Sequence, residues 1–179
     1  MTIDFYVEFL QKNEMSLKRT IEVFEIIKNT KTAIESEDAL LDEDNMPITE
    51  IYDLPIINYL NDIEKAYFSN LSSEEDEEWM REWFSTPIEI RHSPQMICPQ
   101  WDLESMLGTF WNGEYDLIAI QEYNSKYYLT FNPHAYPYGG TGCMVAFLEC
   151  FGHEVIGIQD GTGYVKHTSR TKFWQPKKV

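Results

Sequence analysis

The 179-residue sequence predicts an α+β protein in which a helical amino-terminal half packs with a carboxy-terminal antiparallel sheet. In the first half, apolar residues recur three and four positions apart, which is the spacing of one helix face. The second half contains two pairs of β-rich segments, and a short turn sequence joins the members of each pair. These patterns favour a single domain, 1–179, with a mainly helical acidic part at 1–85 and a helix, hairpin, helix, hairpin part at 86–179.

Three helices are predicted in the acidic part. In the first, Ser16 can cap an apolar stripe made of Leu17, Ile21, Phe24 and Ile27. The second follows Asp53 and Pro55, and its stripe is Ile56, Leu60, Ile63 and Tyr67. The third has Ser72 and Glu75 at capping-box spacing and would bury Trp79, Met80, Trp83 and Phe84.

The second half opens with a short predicted strand, PIEIRH, at 87–92. A helix follows, with Asp102 as its cap, Gly113 as its left-handed end, and a buried face of Leu103, Met106, Leu107, Phe110 and Trp111. The segments YDLIAIQEY and KYYLTFN then form a hairpin across NSK. After a glycine-rich stretch, the helix CMVAFLECF ends at Gly152, and HEVIGIQD pairs with GYVKHT across GTG.

Charge is unevenly distributed along the chain. The net charge is −16, and residues 1–89 contain 22 Asp and Glu against 7 Lys and Arg, a balance of −15. Residues 90–179 contain 8 acids against 7 bases, a balance of −1. Binding of nucleic acid or of an anionic membrane through the acidic half is disfavoured, because phosphate contacts require cations. A basic protein partner would instead be attracted to it.

Two segments concentrate the acids: 35–50, predicted to be a loop, and 74–82, at the start of a predicted helix. Together they place 13 acids in 25 positions, a density above what solubility requires. Carboxylates in that number can occupy the cationic groove of a nuclease or of another basic protein in place of phosphates. The residues predicted to contact such a partner are Glu37, Asp38, Asp42, Glu43, Asp44, Glu74, Glu75, Asp76, Glu77, Glu78 and Glu82.

The stretch FNPHAYPYGGTGCMVAFLECFGHEV contains the residue types of nucleophilic catalysis. Cys143 opens a helix, where the helix dipole favours a thiolate. Asp160 can orient a base, for which the candidates are His134, His153 and His167. The segment resembles papain-like cell-wall peptidases, whose nucleophilic cysteine opens a helix and whose histidine lies on a following strand, as in HEVIGIQDGTGYVKH. The resemblance implies a cysteine hydrolase as an alternative function, although only nine residues separate Cys143 from His153.

The same stretch also has a purely structural interpretation. Gly139, Gly140 and Gly142 would supply positive φ and close approach for a sharp turn between a strand and a helix. The Lys-Ser or Lys-Thr of a phosphate-binding loop is absent, and the cysteines and histidines lack the paired spacing of a zinc site. We therefore predict a non-enzymatic protein without catalytic residues, metal or cofactor, and keep the cysteine hydrolase as the alternative.

The cysteine pattern and the first residues indicate a cytoplasmic protein. Cys98, Cys143 and Cys150 are odd in number and lack the spacing of a disulfide framework, which favours a reducing compartment. The first residues offer no basic region, apolar run or cleavage site of a signal peptide. No segment approaches the roughly 18 apolar residues of a membrane span.

A small, acidic, aromatic-rich α+β chain without a catalytic set is similar in overall character to the immunity proteins that bacteria make against secreted toxins, including those of contact-dependent inhibition. The similarity extends over the whole chain and depends on no single motif. It implies a one-to-one complex with a toxin domain, often a nuclease, in or beside its active site. The acidic half would then supply the contact surface and the sheet the scaffold. An interaction or structural protein with another partner is a further alternative.

Overall fold

The protein is described by a computed structural model, which covers residues 4–36, 50–68, 77, 80–82, 84–87, 101–134 and 141–168. Its helices are α1 (Glu14–Ile34), α2 (Glu50–Tyr59), α3 (Asp62–Lys65), α4 (Leu103–Asn112) and α5 (Thr141–Cys150). Its strands are β1 (Tyr6–Leu10), β2 (Tyr115–Tyr123), β3 (Lys126–Pro133), β4 (Glu154–Gln159) and β5 (Tyr164–Lys166). The strands form one antiparallel sheet in the order β2-β3-β1-β4-β5, so the α+β class is confirmed.

The middle strand of the sheet, β1, comes from the first residues of the chain and was not predicted. It lies between the two predicted hairpins, which pair with it rather than with each other. Val7 and Phe9 are fully buried in the core, while Glu8 points to the opposite face. The alternation of polar and apolar residues is present in YVEF, but four residues are a weak signal for a strand within a mainly helical half.

Helix α1 begins earlier and buries a different face than predicted. Its N-cap is Asn13, whose side chain accepts a hydrogen bond from the Ser16 backbone N–H at 2.8 Å, so the prediction of Ser16 as cap was wrong. Phe24 and Ile27 are buried as predicted, but Ile21 is 38% exposed. The buried face is rotated because it must meet the sheet and α4, and its buried members are Thr20, Val23, Phe24, Ile27, Lys31 and Ile34.

The second predicted helix is divided in two. Asn61 forms a capping box with Glu64, and this local hydrogen bonding ends α2 and starts α3. The break turns Ile63 outward, where its side chain is 67% exposed, so its assignment to the buried stripe was wrong. The other members of that stripe, Ile56, Leu60 and Tyr67, are buried as predicted.

The third predicted helix lies largely outside the described residues, and so do Ser72, Glu75, Trp79 and Trp83. Residues 80–82 and 84–85 are helical. Met80 and Phe84 are 39% and 65% exposed, which contradicts the prediction that they form a buried face. Of the strand predicted at 87–92, only Pro87 is described, and it is not in a strand.

Helix α4 has the predicted cap and buried face but a different end. The Asp102 side chain accepts from the Ser105 backbone N–H at 2.8 Å, and Phe110 is fully buried. Gly113 has φ −69°, so the predicted left-handed end was wrong. Instead, the ammonium group of the buried Lys31 donates a 2.6 Å hydrogen bond to the Gly113 carbonyl and places a positive charge at the negative end of the helix dipole.

The two predicted hairpins and the helix between them are confirmed. In the first hairpin, Asn124 and Ser125 both have positive φ, as a two-residue primed turn requires. Helix α5 ends before Gly152, which has φ +82°. Every residue from 143 to 150 is buried, because α5 packs between α4 and the sheet. The ring of Phe147 makes edge contacts with Phe110 and Phe151 at this centre.

Candidate functional site

Cys143 is the third residue of α5, and its side chain is fully buried. Its Sγ lies 3.4 Å from the hydroxyl oxygen of Tyr115. Burial raises the pKa of the Cys143 thiol to about 11, although the Tyr115 hydrogen bond acts in the opposite direction. A nucleophilic cysteine needs an accessible thiolate, whereas this group is an enclosed thiol at neutral pH. The geometry therefore speaks against the cysteine hydrolase.

His153 is also fully buried, and it belongs to a different hydrogen-bond network. The Lys12 backbone N–H donates to Nδ1 at 3.1 Å, so the proton of the neutral ring lies on Nε2. Nε2 donates to the Thr20 hydroxyl at 2.8 Å, and that hydroxyl donates to the Ser16 carbonyl at 2.8 Å. Burial, with the nearby Lys12 charge, lowers the pKa of His153 to about 4. This chain of hydrogen bonds gives His153 a structural role between β4 and α1.

His134 lies at the surface, at the end of β3. Its Nε2 is 2.9 Å from an oxygen of Asp116, and both side chains are about half exposed. The His134 hydrogen bond lowers the pKa of Asp116. The described hydrogen bonds pair His134 with Asp116, Cys143 with Tyr115, and His153 with Lys12 and Thr20, so they do not link the three residues as a catalytic set.

Asp160 and His167 likewise have separate partners. The Asp160 carboxylate accepts from the backbone N–H and the hydroxyl of Thr162, which closes the turn between β4 and β5. His167 Nε2 lies 3.2 Å from a carboxylate oxygen of the buried Glu149, whose other oxygen accepts from the Tyr67 hydroxyl at 2.7 Å. Asp160 therefore does not orient His167.

Alkylation distinguishes an inert Cys143 from a reactive one. The shift of its pKa from 9.0 to about 11 reduces the thiolate fraction about a hundredfold, and burial further limits access. We expect iodoacetamide to modify Cys143 at least about a hundredfold more slowly in the folded protein than in urea. Mass spectrometry of the peptide that contains Cys143 measures both rates. Rapid modification of the folded protein would instead support the hydrolase.

The glycine-rich stretch is only partly described. Gly139 and Gly140 lie outside the described residues. Gly142 is in the first turn of α5 and does not have positive φ, so that part of its prediction was wrong, whereas the predicted close approach is confirmed. A Cβ at this position would meet the ring of Trp101 at 3.2 Å. Gly142 thus allows a close approach between Trp101 and the start of the helix.

The residues predicted to contact a basic partner fall mostly outside the described part of the chain. Those outside it are Glu37, Asp38, Asp42, Glu43, Asp44, Glu74, Glu75, Asp76 and Glu78. Glu77 and Glu82 are described, and both are exposed on helical backbone. Further exposed acids lie on α1, at Glu14, Glu22 and Glu25. The described acidic side chains on these helices are therefore open to solvent.

Two other acids of the first half have structural roles. The Glu64 carboxylate forms two 2.7 Å hydrogen bonds with the guanidinium group of Arg19. The Glu8 carboxylate accepts from the Lys126 ammonium at 2.8 Å and from the hydroxyls of Tyr128 and Tyr164 at 3.1 and 2.6 Å. Burial raises the pKa of Glu8, but these three donors outweigh it and lower the pKa. Paired in this way, both carboxylates stabilise the fold.

A groove of about 320 Å³ beside α1 was not predicted from the sequence. Its lining consists of the apolar Leu17, Ile21 and Tyr127, the charged Glu14, Lys18 and Glu22, and the polar Gln11. Ile21 has the helical spacing of a core residue and was predicted to be buried, but it is 38% exposed. The groove also needs Tyr127 of β3, which is remote in sequence and reaches α1 only through the fold.

No family model matches the chain, and no curated protein or solved structure is significantly similar to it. Among the helices that the structure describes, none has the length and apolar character needed to cross a membrane. Within the same residues, no three His, Cys, Asp or Glu side chains cluster as metal ligands would. Inference about function therefore depends on the charge and geometry of the chain itself.

Proposed function

We propose that the protein is a non-enzymatic acidic binding protein that neutralises a basic protein partner, in the manner of an immunity protein acting on a toxin domain such as a nuclease. The main observation in favour of this proposal is the charge balance of −15 in residues 1–89. It is supported by the exposure of Glu14, Glu22, Glu25, Glu77 and Glu82, which are available to a partner. The buried Cys143 removes the main support for an enzymatic alternative.

The mechanism is electrostatic substitution. A nuclease binds the phosphates of its substrate with cationic side chains, and exposed carboxylates offer the same cations an alternative anionic surface. The opposite charges increase the rate of encounter, and salt reduces it. The sheet and α5 hold the acidic helices in place. This mechanism requires no cofactor and no bond rearrangement.

A capture experiment tests the proposal. The purified chain is immobilised and exposed to extract of its source cell at about 50 mM and about 500 mM salt, where the Debye length differs roughly threefold. We expect a basic protein to be retained at low salt and released at high salt. The captured protein is then assayed for toxicity and nuclease activity with and without the chain. Absence of a basic partner, or a partner whose activity is unaffected, contradicts the proposal.

Two matched double variants distinguish the effect of charge in the acidic half from the effect of the net charge of the whole chain. Glu77→Lys with Glu82→Lys changes the acidic half, and Glu104→Lys with Glu114→Lys makes the same change of net charge at exposed positions of the second half. We expect the first pair to weaken binding at least about tenfold and the second pair less than about threefold. Equal losses would mean that net charge alone, rather than the acidic half, attracts the partner.

A further inference from the structure

From the geometry of the groove beside α1, we infer that it binds an arginine side chain of the basic partner. This inference rests on the proposed function and adds the contact that provides specificity. Leu17, Ile21 and Tyr127 give the groove its apolar lining, and Glu14 and Glu22 also line it. These are the surroundings that an arginine requires, since its stem is apolar and its head is a planar cation.

The apolar lining is partly exposed and has room for a ligand. Ile21 is 38% exposed, and Leu17 and Tyr127 are half-buried against the core. Leu17 and Ile21 lie four residues apart on α1 and therefore share one face of the helix. A volume of about 320 Å³ accommodates one long side chain with part of its backbone. The methylene groups of an arginine would cover these apolar atoms.

The charges around Tyr127 favour a cation. Burial raises the pKa of Tyr127, and the nearby carboxylates of Glu122 and Glu14 raise it further. Glu14 and Glu22 are the two carboxylates that line the groove, and Lys18 is the one cation among the lining residues. One oxygen of Glu22 accepts a hydrogen bond from the Tyr59 hydroxyl, and the other faces Lys18. Lys18 is 73% exposed and 3.9 Å from Glu22, so it can turn away into solvent.

The same charges select against other occupants. A second copy of this chain, with its own net charge of −16, would bring carboxylates against carboxylates. An anionic ligand would meet the same repulsion. A guanidinium group, in contrast, can pair with Glu14 or Glu22 while it stacks on the Tyr127 ring. A lysine provides the charge but not the planar stacking.

Variants of the groove test the inference with the captured partner. Ile21→Arg places a cation in the groove, and Ile51→Arg is its control, because Ile51 is 40% exposed on α2. We expect Ile21→Arg to weaken binding at least about tenfold and Ile51→Arg less than about twofold. Glu14→Gln should weaken binding about threefold, while Glu104→Gln, at an exposed acid in the first turn of α4, should change it less than about 1.5-fold.

A peptide probe tests the groove independently of the partner. A capped peptide of alternating arginine and leucine is titrated into the isotope-labelled protein, and the same peptide with citrulline in place of arginine is the control. We expect shifts of the Leu17 and Ile21 methyl signals with the arginine peptide and none with the citrulline peptide. Shifts confined to other residues, or equal shifts with both peptides, would overturn the inference.

The proposed function and the assignment of the groove can be contradicted independently. If the wild-type chain captures a basic partner and Ile21→Arg binds it as tightly, the groove assignment is wrong while the proposed function stands. If no basic partner is captured, the proposed function is wrong, and the peptide titration alone decides whether the groove binds arginine.

Discussion

Between pH 7 and pH 4, the free energy of unfolding is expected to fall by about 3 kcal/mol through His153 alone. Its pKa is lowered from 6.5 to about 4 in the folded protein. In this window the unfolded chain binds a proton at His153 and the folded chain does not, so acid favours unfolding. Nδ1 already accepts a hydrogen bond from the Lys12 backbone N–H. A proton added to Nδ1 would face that N–H group, so two donors would oppose each other and the hydrogen bond would be lost.

Urea unfolding at several pH values measures this effect, and His153→Gln is the comparison. A glutamine can offer an acceptor and a donor in place of the two ring nitrogens but does not titrate. We expect the variant to be less stable than wild type at pH 7, and its stability to depend less on pH between 6.5 and 4. An equally steep decline in the variant would show that other groups, such as the paired carboxylate of Glu8, cause it.

Glu64→Ala is expected to lower the free energy of unfolding by about 3 kcal/mol. Glu64 holds the Arg19 guanidinium through two 2.7 Å hydrogen bonds and also accepts from the Asn61 backbone N–H at 2.8 Å. The Arg19 head also donates to the Tyr59 carbonyl and lies 4.7 Å from the centre of the Tyr59 ring. Removal of the carboxylate leaves a cation in a site where only 26% of its side chain is exposed. The loss is at the lower end of the range for buried pairs because water can reach that head.

A double substitution distinguishes the cost of an unpaired Arg19 charge from the cost of losing the other contacts of Glu64. Arg19→Met with Glu64→Leu replaces both charges by apolar groups of similar size, and it should be less destabilised than Glu64→Ala. Lys18→Ala removes a cation of an exposed pair on the same helix and should change the stability by less than about 0.5 kcal/mol. Chemical denaturation measures all of these variants. A double mutant as unstable as Glu64→Ala would mean that lost capping of α3, not an unpaired charge, dominates.

The elements that could be predicted from the sequence are those whose cause is local. Helix α4 has an apolar face at helical spacing and a capping aspartate, Asp102, within one segment. The first hairpin has two alternating strands and a two-residue turn at Asn124 and Ser125. Glycine in the left-handed conformation could be predicted at Gly152, where the helix ends, but not at Gly113. At Gly113 the helix end is instead held by Lys31, a residue of another helix.

The candidate site illustrates the limit of local patterns. The acidic character of the first half follows from its composition. The exposure of Glu77 and Glu82 agrees with the solvated helix start expected at 74–82. The groove does not follow from composition, because Ile21 has the spacing of a core residue. Only the fold leaves Ile21 partly exposed and brings it into one groove with Tyr127 of β3.

The sequence by itself determined the α+β class, the uneven charge and the positions of most helices and hairpins, because each depends on residues that are neighbours along the chain. The tertiary structure alone decided that β1 is the middle strand, that Cys143 is an enclosed thiol and that His153 joins β4 to α1. These outcomes depend on burial and on hydrogen bonds between residues far apart in sequence. Such contacts exist only after the chain has folded, and the pKa and reactivity of a side chain are set by them.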